Sequence, residues 1–317
     1  MTVKIIFSVL TLFIMMLPGI IMKKCKLSDE GFGKGLSNLV LFVASPALVF
    51  EAYLGNFNTD IMKGALQVFI FSMLAHGLFS AVAYCFFKKD EAEMRKVLRF
   101  AVIFANAAYM GIPLIEFALG SEAVIYASIY SIGFNTFQWS LGVRIFESDK
   151  KPSFLESTRK VIMHPCTLAS ILGIIFFVTP MDSYIPEVIR NAIVMLKNLV
   201  APLSMLVIGL RLADIDFHSL LSTLKNKSVW LCLSLRHLVL PALLFGILKL
   251  LSLLLPIRDT VILIVTILAS APAATATTMF SERYDGDAHF AGKLVSVSTL
   301  LSILSMPLVI LLAEIWR

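Results

Sequence analysis

The sequence is short of charge: Asp, Glu, Lys and Arg make up 15% of its 317 residues, against about 25% in a soluble domain. That shortage excludes an ordinary water-soluble globule, because too few polar side chains remain to cover a packed core. The four cysteines, Cys25, Cys85, Cys166 and Cys232, form no CxxC pair and have no histidine at metal-ligand spacing. Neither a disulfide framework nor a metal site is indicated. GxSxG, HExxH and P-loop patterns are absent as well. The reading is therefore a non-enzyme, with no cofactor and no ATP-driven step. The N-terminal apolar run 5–22 lacks a small-x-small cleavage site and ends in Lys23 and Lys24, which predicts a retained span rather than a cleaved leader.

What the sequence has is apolar bulk, 58% hydrophobic with 24 Phe and 14 Met, at a mean hydropathy of +0.88. Its solvent is lipid. A hydrocarbon core of about 30 Å needs roughly 20 apolar residues per helical span. Runs nearly free of charge predict spans at 4–23, 35–53, 63–87, 98–118, 122–145, 165–180, 187–211, 228–254, 258–281 and 290–313. The fold class is an all-α polytopic membrane protein of ten transmembrane helices. Nineteen of the 27 Lys and Arg fall in the connections after helices 1, 3, 5, 7 and 9, and five in the opposite ones. Basic loops stay in the cytoplasm, so both termini of a multi-pass cell (inner) membrane protein are expected outside. The net charge of +6 then reports topology, not a nucleic-acid partner.

The connection from Phe146 to His164 is the longest and most polar. It divides the chain into a first five-helix repeat (1–146), a cytoplasmic linker (147–164) and a second repeat (165–317). Prolines recur in matched helices: Pro46 and Pro113 in helices 2 and 4, Pro202 and Pro272 in helices 7 and 9. Five helices per half force the second copy to enter from the other side, giving two inverted repeats, a common transporter plan. Proline removes a backbone donor and clashes one turn back, so helices 4 and 9 are expected to break at Pro113 and Pro272. Gly111 would let the backbone bend and a second helix approach closely there. The small-residue run 269–278 would let the two broken helices cross near the midplane. Half-helices starting at the prolines would aim free N–H groups and positive dipole ends at the crossing, which favours an anion.

Side chains near the crossing extend that reading. Asn106 and Thr275, with Thr277 and Thr278, carry donors for a carboxylate or else satisfy their own broken backbone. Asn135 and Gln138 in helix 5 line the path or bond between helices. His76 in helix 3 is either a carrier of the coupling proton or a packed neutral side chain. Arg236 in helix 8 could offer its charge to an anion, but snorkelling to the cytoplasmic interface is the favoured reading. Glu51, Glu116 and Lys249 read as interfacial anchors.

With these residues placed, the chain resembles the auxin efflux carrier family, which includes plant auxin exporters and bacterial malate or malonate carriers, within the bile acid/arsenite/riboflavin transporter superfamily. The likeness is carried by NAAYMGIPLI at 106–115, MFSERYDGDAHFAGKLVSVSTLLSILSMPLVILL at 279–312, SPALVF in helix 2 and APLSMLVIGLRLA at 201–213. It implies a scaffold of helices 1, 2, 6 and 7, a mobile transport bundle of helices 3–5 and 8–10, elevator-type motion, and a homodimer through the scaffold. By position it places Asn106, Gly111, Pro113 and Pro272 at a substrate crossover, with Asn135 and Gln138 as polar positions of helix 5. ERYDGD at 282–287 resembles the family's ending of helix 9, where Asp287 would hold the turn into helix 10. The long cytoplasmic insertion of plant members is missing, so hormone export does not follow.

The leading expectation is a secondary carrier of a small organic anion, a mono- or dicarboxylate, in a lipid bilayer. The alternative is a cation/proton antiporter of related broken-helix architecture. That class needs buried carboxylates, and no Asp stands at the breaks of helices 4 and 9. A membrane receptor on a carrier fold is a third class, with no soluble domain in this sequence to serve it.

Overall fold

The computed structural model describes residues 2–55, 58–146, 153–213, 223–284 and 286–315. They are almost entirely helical. The first span (α1) runs as Thr2–Ile14 and then Leu17–Lys24, and the second (α2) as Glu30–Leu39, Val40–Ala44 and Ser45–Ala52. Next come α3 (Thr59–Cys85) and a broken α4, made of α4a (Ala92–Ile103) and α4b (Ala107–Leu119). The helix α5 continues from Ser121–Phe137 through Gln138–Gly142 into Val143–Phe146. The second half holds α6 (Pro165–Val178), α7 (Glu187–Ala213) and α8 (Lys227–Ser252). A broken α9 follows, made of α9a (Asp259–Ser270) and α9b (Ala276–Arg283), then α10 (Ala288–Ile315). Residues 147–152 of the expected linker lie outside the described residues. The rest of the linker forms a short helix, Phe154–Ile162, started by a reciprocal Ser153–Glu156 capping box and bent 66° from α6.

Six of these stretches are long and apolar enough to cross a bilayer, namely Phe7–Lys24, Gly31–Ala52, α3, α7, α8 and Ala288–Ala313. Counting the bent pair ending in α6 makes seven, and Ala107–Leu119 and Asp259–Ser270 are shorter apolar helices. The architecture is that of a polytopic helical membrane protein. Its outer helices carry large apolar side chains outward, such as Phe7 and Ile21 on α1 and Leu172 and Ile175 on α6. The broken helices lie inside: every residue from Val261 to Ser270 of α9a is buried.

Packing divides the helices into neighbourhoods. α1 lies against α7, and α2 lies against α6 and α7. At the α1–α7 contact Gly19 and Gly209 face each other so closely that a side chain on Gly209 would run into the Met16 carbonyl. α3, α4 and α5 pack together, as do α8, α9 and α10. The turn into α10 is held as the sequence suggests, with the Phe290 N–H donating to Asp287 Oδ1 at 2.8 Å.

The prolines act differently from expectation. Pro46, Pro113 and Pro241 each stand at the second residue of a helical segment that follows a π-helical turn: Val40–Ala44, Ala107–Gly111 and Leu235–Val239. The wider turn accommodates each ring without ending the helix. The break in α4 lies at residues 104–106, upstream of Pro113, whereas the break in α9 does contain Pro272. Gly111 has ordinary right-handed helical angles. Its expected close approach to a second helix is present, since a Cβ there would sit 2.8 Å from Leu268 Cδ2 of α9a.

Candidate functional site

The two breaks cross as a pair of extended strands one residue long. Ala105 and Ala273 form an isolated antiparallel bridge. The Asn106 N–H donates to the Pro272 carbonyl at 2.7 Å, and the Ala274 N–H to the Phe104 carbonyl at 2.9 Å. Each break thus supplies the backbone partners the other lost, which lets irregular backbone persist in the protein interior. A third contact comes from α10, where Ser298 Oγ accepts the Ala273 N–H at 2.8 Å and also meets His237 Nε2 at 2.8 Å.

Four half-helix ends meet at this bridge. α4b and α9b begin there, at Ala107 and Ala276, not at the prolines. The first turn of a helix leaves N–H groups without intrahelical partners and carries the positive end of the dipole. A cavity of about 160 Å³ opens beside these two starts, bordered by residues 105–109 and 274–276. Its remaining wall comes from α2, α5, α6 and α9b, including Leu41, Phe134, Trp139, Cys166, Met279 and Phe280. Most of that wall is apolar.

Four of its polar side chains keep an unpartnered atom. Asn106 Nδ2, Gln138 Oε1, Trp139 Nε1 and His164 Nδ1 are buried atoms without a hydrogen-bond partner among the described residues, and all four residues line the cavity. Asn106 and Gln138 are 2% and 8% exposed. A buried donor or acceptor without a partner costs about 1–3 kcal/mol, and four such atoms belong to residues around this one cavity.

Of the residues named from sequence, Asn106, Asn135, Gln138 and Thr275 line this cavity. Gly111, Pro113 and Pro272 do not border it. Pro272 contributes through its carbonyl, Gly111 through the approach of α9a, and Pro113 through neither. Thr277 is buried outside the lining, and Thr278 borders a different cavity. His76 is enclosed by Phe104, Tyr130, Phe134 and Phe137. Its Nδ1 lies 2.7 Å from the Ser72 carbonyl, so that nitrogen carries the proton. Trp139 and His164 had no signal in the sequence beyond their type.

Arg236 corrects the sequence reading most sharply. It does not snorkel: it is fully buried, donating from Nη1 to the Val102 carbonyl at 2.9 Å and from Nη2 to the Ala269 carbonyl. Those carbonyls belong to the last turns of α4a and α9a. Glu51 and Glu116 are likewise not simple anchors. Lys197 Nζ of α7 lies 2.8 Å from Glu51 Oε2 of α2 and 3.6 Å from Glu116 Oε1 of α4b, and donates to Ser121 Oγ of α5 at 2.9 Å.

A second cavity, of about 660 Å³, adjoins the first through Tyr109 and Met279. Lys23, Lys34, Arg211 and Arg283 line it, with Asp29 and Glu282. It lies on the side that carries the basic connections.

Comparison with known proteins points to a transporter. Residues 4–310 match the family model described as membrane transport protein. An uncharacterized transporter of Methanothermobacter thermautotrophicus is 25% identical over 306 residues, covering 95% of this chain and 96% of that protein. An uncharacterized transporter of Methanocaldococcus jannaschii is 24% identical over 311 residues, with the same coverage of both chains. The chain therefore belongs to the membrane transport protein family, that of the auxin efflux carriers its motifs resemble.

Proposed function

We propose that this transporter is a secondary carrier of small organic anions, which it binds in the cavity at the crossing of α4 and α9. The observation that carries the proposal is the set of buried side-chain nitrogens on Asn106, Trp139 and His164 that have no partner among the described residues, in side chains lining a cavity onto which two helix starts open. The unpartnered Gln138 Oε1 is an acceptor and would meet a hydroxyl or another donor of the guest, not its carboxylate. Amide and indole N–H groups with two positive helix ends suit a carboxylate. A volume of about 160 Å³ is below the range of about 300–1,000 Å³ typical of drug-sized ligands, which suits an acid of a few heavy atoms. The larger cavity, with four basic side chains against two acidic ones, would gather anions from the cytoplasmic side. In this reading α1, α2, α6 and α7 are the fixed scaffold, on which two copies pair, and the other helices carry the site across by an elevator motion.

A cation/proton antiporter would need a carboxylate beside the crossing, and among the described residues none lines the small cavity. The test is ligand-dependent thermal stability of the purified protein. A ligand that binds only the folded state raises the unfolding temperature once its concentration passes the dissociation constant. Short carboxylates should raise it, and Asn106→Ala should weaken that binding tenfold or more while leaving the ligand-free unfolding temperature within a few degrees. Stabilisation by sodium or lithium alone would favour the antiporter.

A further inference from the structure

Anion binding at the crossing gives Arg236 no direct contact to make, although it is the largest fully buried side chain among the described residues. No carboxylate among the described residues is paired with it. Its guanidinium lies over the Phe79 ring, 5.2 Å from the centroid, and its two bonds reach the carbonyls of Val102 and Ala269. Burying a lone guanidinium is expensive. The compensation is visible in what it touches.

Each half-helix carries about half an elementary charge at its ends, positive at the start and negative at the finish. Two finishes, α4a and α9a, and two starts, α4b and α9b, meet at the crossing. Alone, these four partial charges cancel. Carbonyl oxygens at paired helix finishes are also suitable ligands for a small hard cation. Here a guanidinium bonds both finishes. The full positive charge of Arg236 offsets their combined negative charge of about one unit, leaving the two starts, worth about one positive unit together, facing the cavity.

We propose that Arg236 is the resident cation of the crossing, which takes the place of a bound metal ion and sets the site's charge for a guest with one negative group. The inference rests on the anion reading of the cavity and deepens it: the ligand class is a small monoanion with an apolar body, and no alkali cation accompanies it. The apolar wall fits the same guest, because Leu41, Phe134, Met279 and Phe280 offer nothing to a second carboxylate. Arg236 is a positioning residue, acting through the half-helices rather than on the ligand.

The test uses purified full-length protein with propionate and malonate as probes, each supplied as the sodium, potassium or choline salt at equal ionic strength. Dissociation constants are read from the rise in unfolding temperature. Wild type and Arg236→Lys should bind propionate with constants that agree within about twofold across the three cations. Both should prefer propionate to malonate at a pH where malonate is doubly charged. Arg236→Met should bind propionate at least tenfold more weakly in choline and recover part of that loss in sodium, which could then occupy the vacated carbonyls.

A requirement for sodium in the wild type, or a tenfold preference for malonate, would overturn the proposal while leaving an anion site. A folded Arg236→Met that binds propionate normally in choline would overturn it as well. Should Arg236→Met fail to fold, the cation comparison on wild type and Arg236→Lys still decides. If no acid stabilises the wild type in any salt, the cavity reading itself falls, and this inference with it.

Discussion

At the scale of single residues, what decides this protein is which polar atoms are left without partners and which glycines allow helices to touch. Asn106, Asn135, Gln138 and Thr275 were legible in the sequence because a polar side chain inside an apolar span needs a reason. The structure brings all four to one cavity. Arg236 was misread for a physical reason: two turns from a helix end, a long cation normally reaches water, and only the tertiary arrangement reveals the two carbonyl ends that hold it instead. Glycine gives the sharpest prediction at this scale. A Cβ on Gly133 of α5 would meet Ser72 of α3, whose hydroxyl already donates to the Tyr130 carbonyl at 2.8 Å. Gly133→Ala should therefore push α3 and α5 apart and lower the unfolding temperature, a loss of about 1–3 kcal/mol for overpacking. An unchanged unfolding temperature in detergent would show that this contact yields without strain.

At the scale of elements, the polytopic helical architecture and six of the apolar spans were readable from hydropathy, and the location of one break was not. The sequence pattern points to the prolines because proline disrupts a helix wherever nothing compensates. In α4 a π-helical turn compensates, so Pro113 lies within α4b. The break at residues 104–106 has no strong local signal, since it is stabilised by its partner: the bonds from Asn106 N–H to Pro272 and from Ala274 N–H to Phe104 exist only when α4 and α9 cross. The two causes separate in mutants. Pro113→Ala should leave ligand affinity within about twofold of wild type, because neither the cavity wall nor the crossing bonds include that ring. Ala274→Pro removes the donor to the Phe104 carbonyl, and that orphaned acceptor should cost about 1–3 kcal/mol and abolish ligand-induced stabilisation. Measuring both unfolding temperature and ligand shift for the pair checks this; a loss of binding in Pro113→Ala alone would restore the proline to the centre of the site.

At the scale of the whole molecule, two features stand apart, a basic cavity and an ion cluster that joins helices. The basic cavity reaches the small one through Tyr109 and Met279, while Lys197 joins α7 to α2, α4b and α5 through Glu51, Glu116 and Ser121. Composition made none of this visible, because the three charged residues are far apart in sequence and each alone resembles an interfacial anchor. If α2 and α7 stay fixed while α4 and α5 move, the contacts of Lys197 with Glu116 and Ser121 must break in every transport cycle. On that proposal they would be the tie between the moving and fixed parts. Lys197→Met leaves Glu51 and Glu116 facing each other with their side chains 20% exposed, where like charges repel with little screening. The variant should shift the population away from the arrangement described here. A cysteine placed at Asn38, on the wall of the basic cavity, should then react at least threefold more slowly with a water-soluble maleimide than it does beside an intact Lys197. Lys197→Arg, which keeps the charge, should react at the original rate. Equal rates in all three backgrounds would mean that the ion cluster stabilises the fold without holding one arrangement over another, and that the tie between the two groups of helices lies in their apolar contacts.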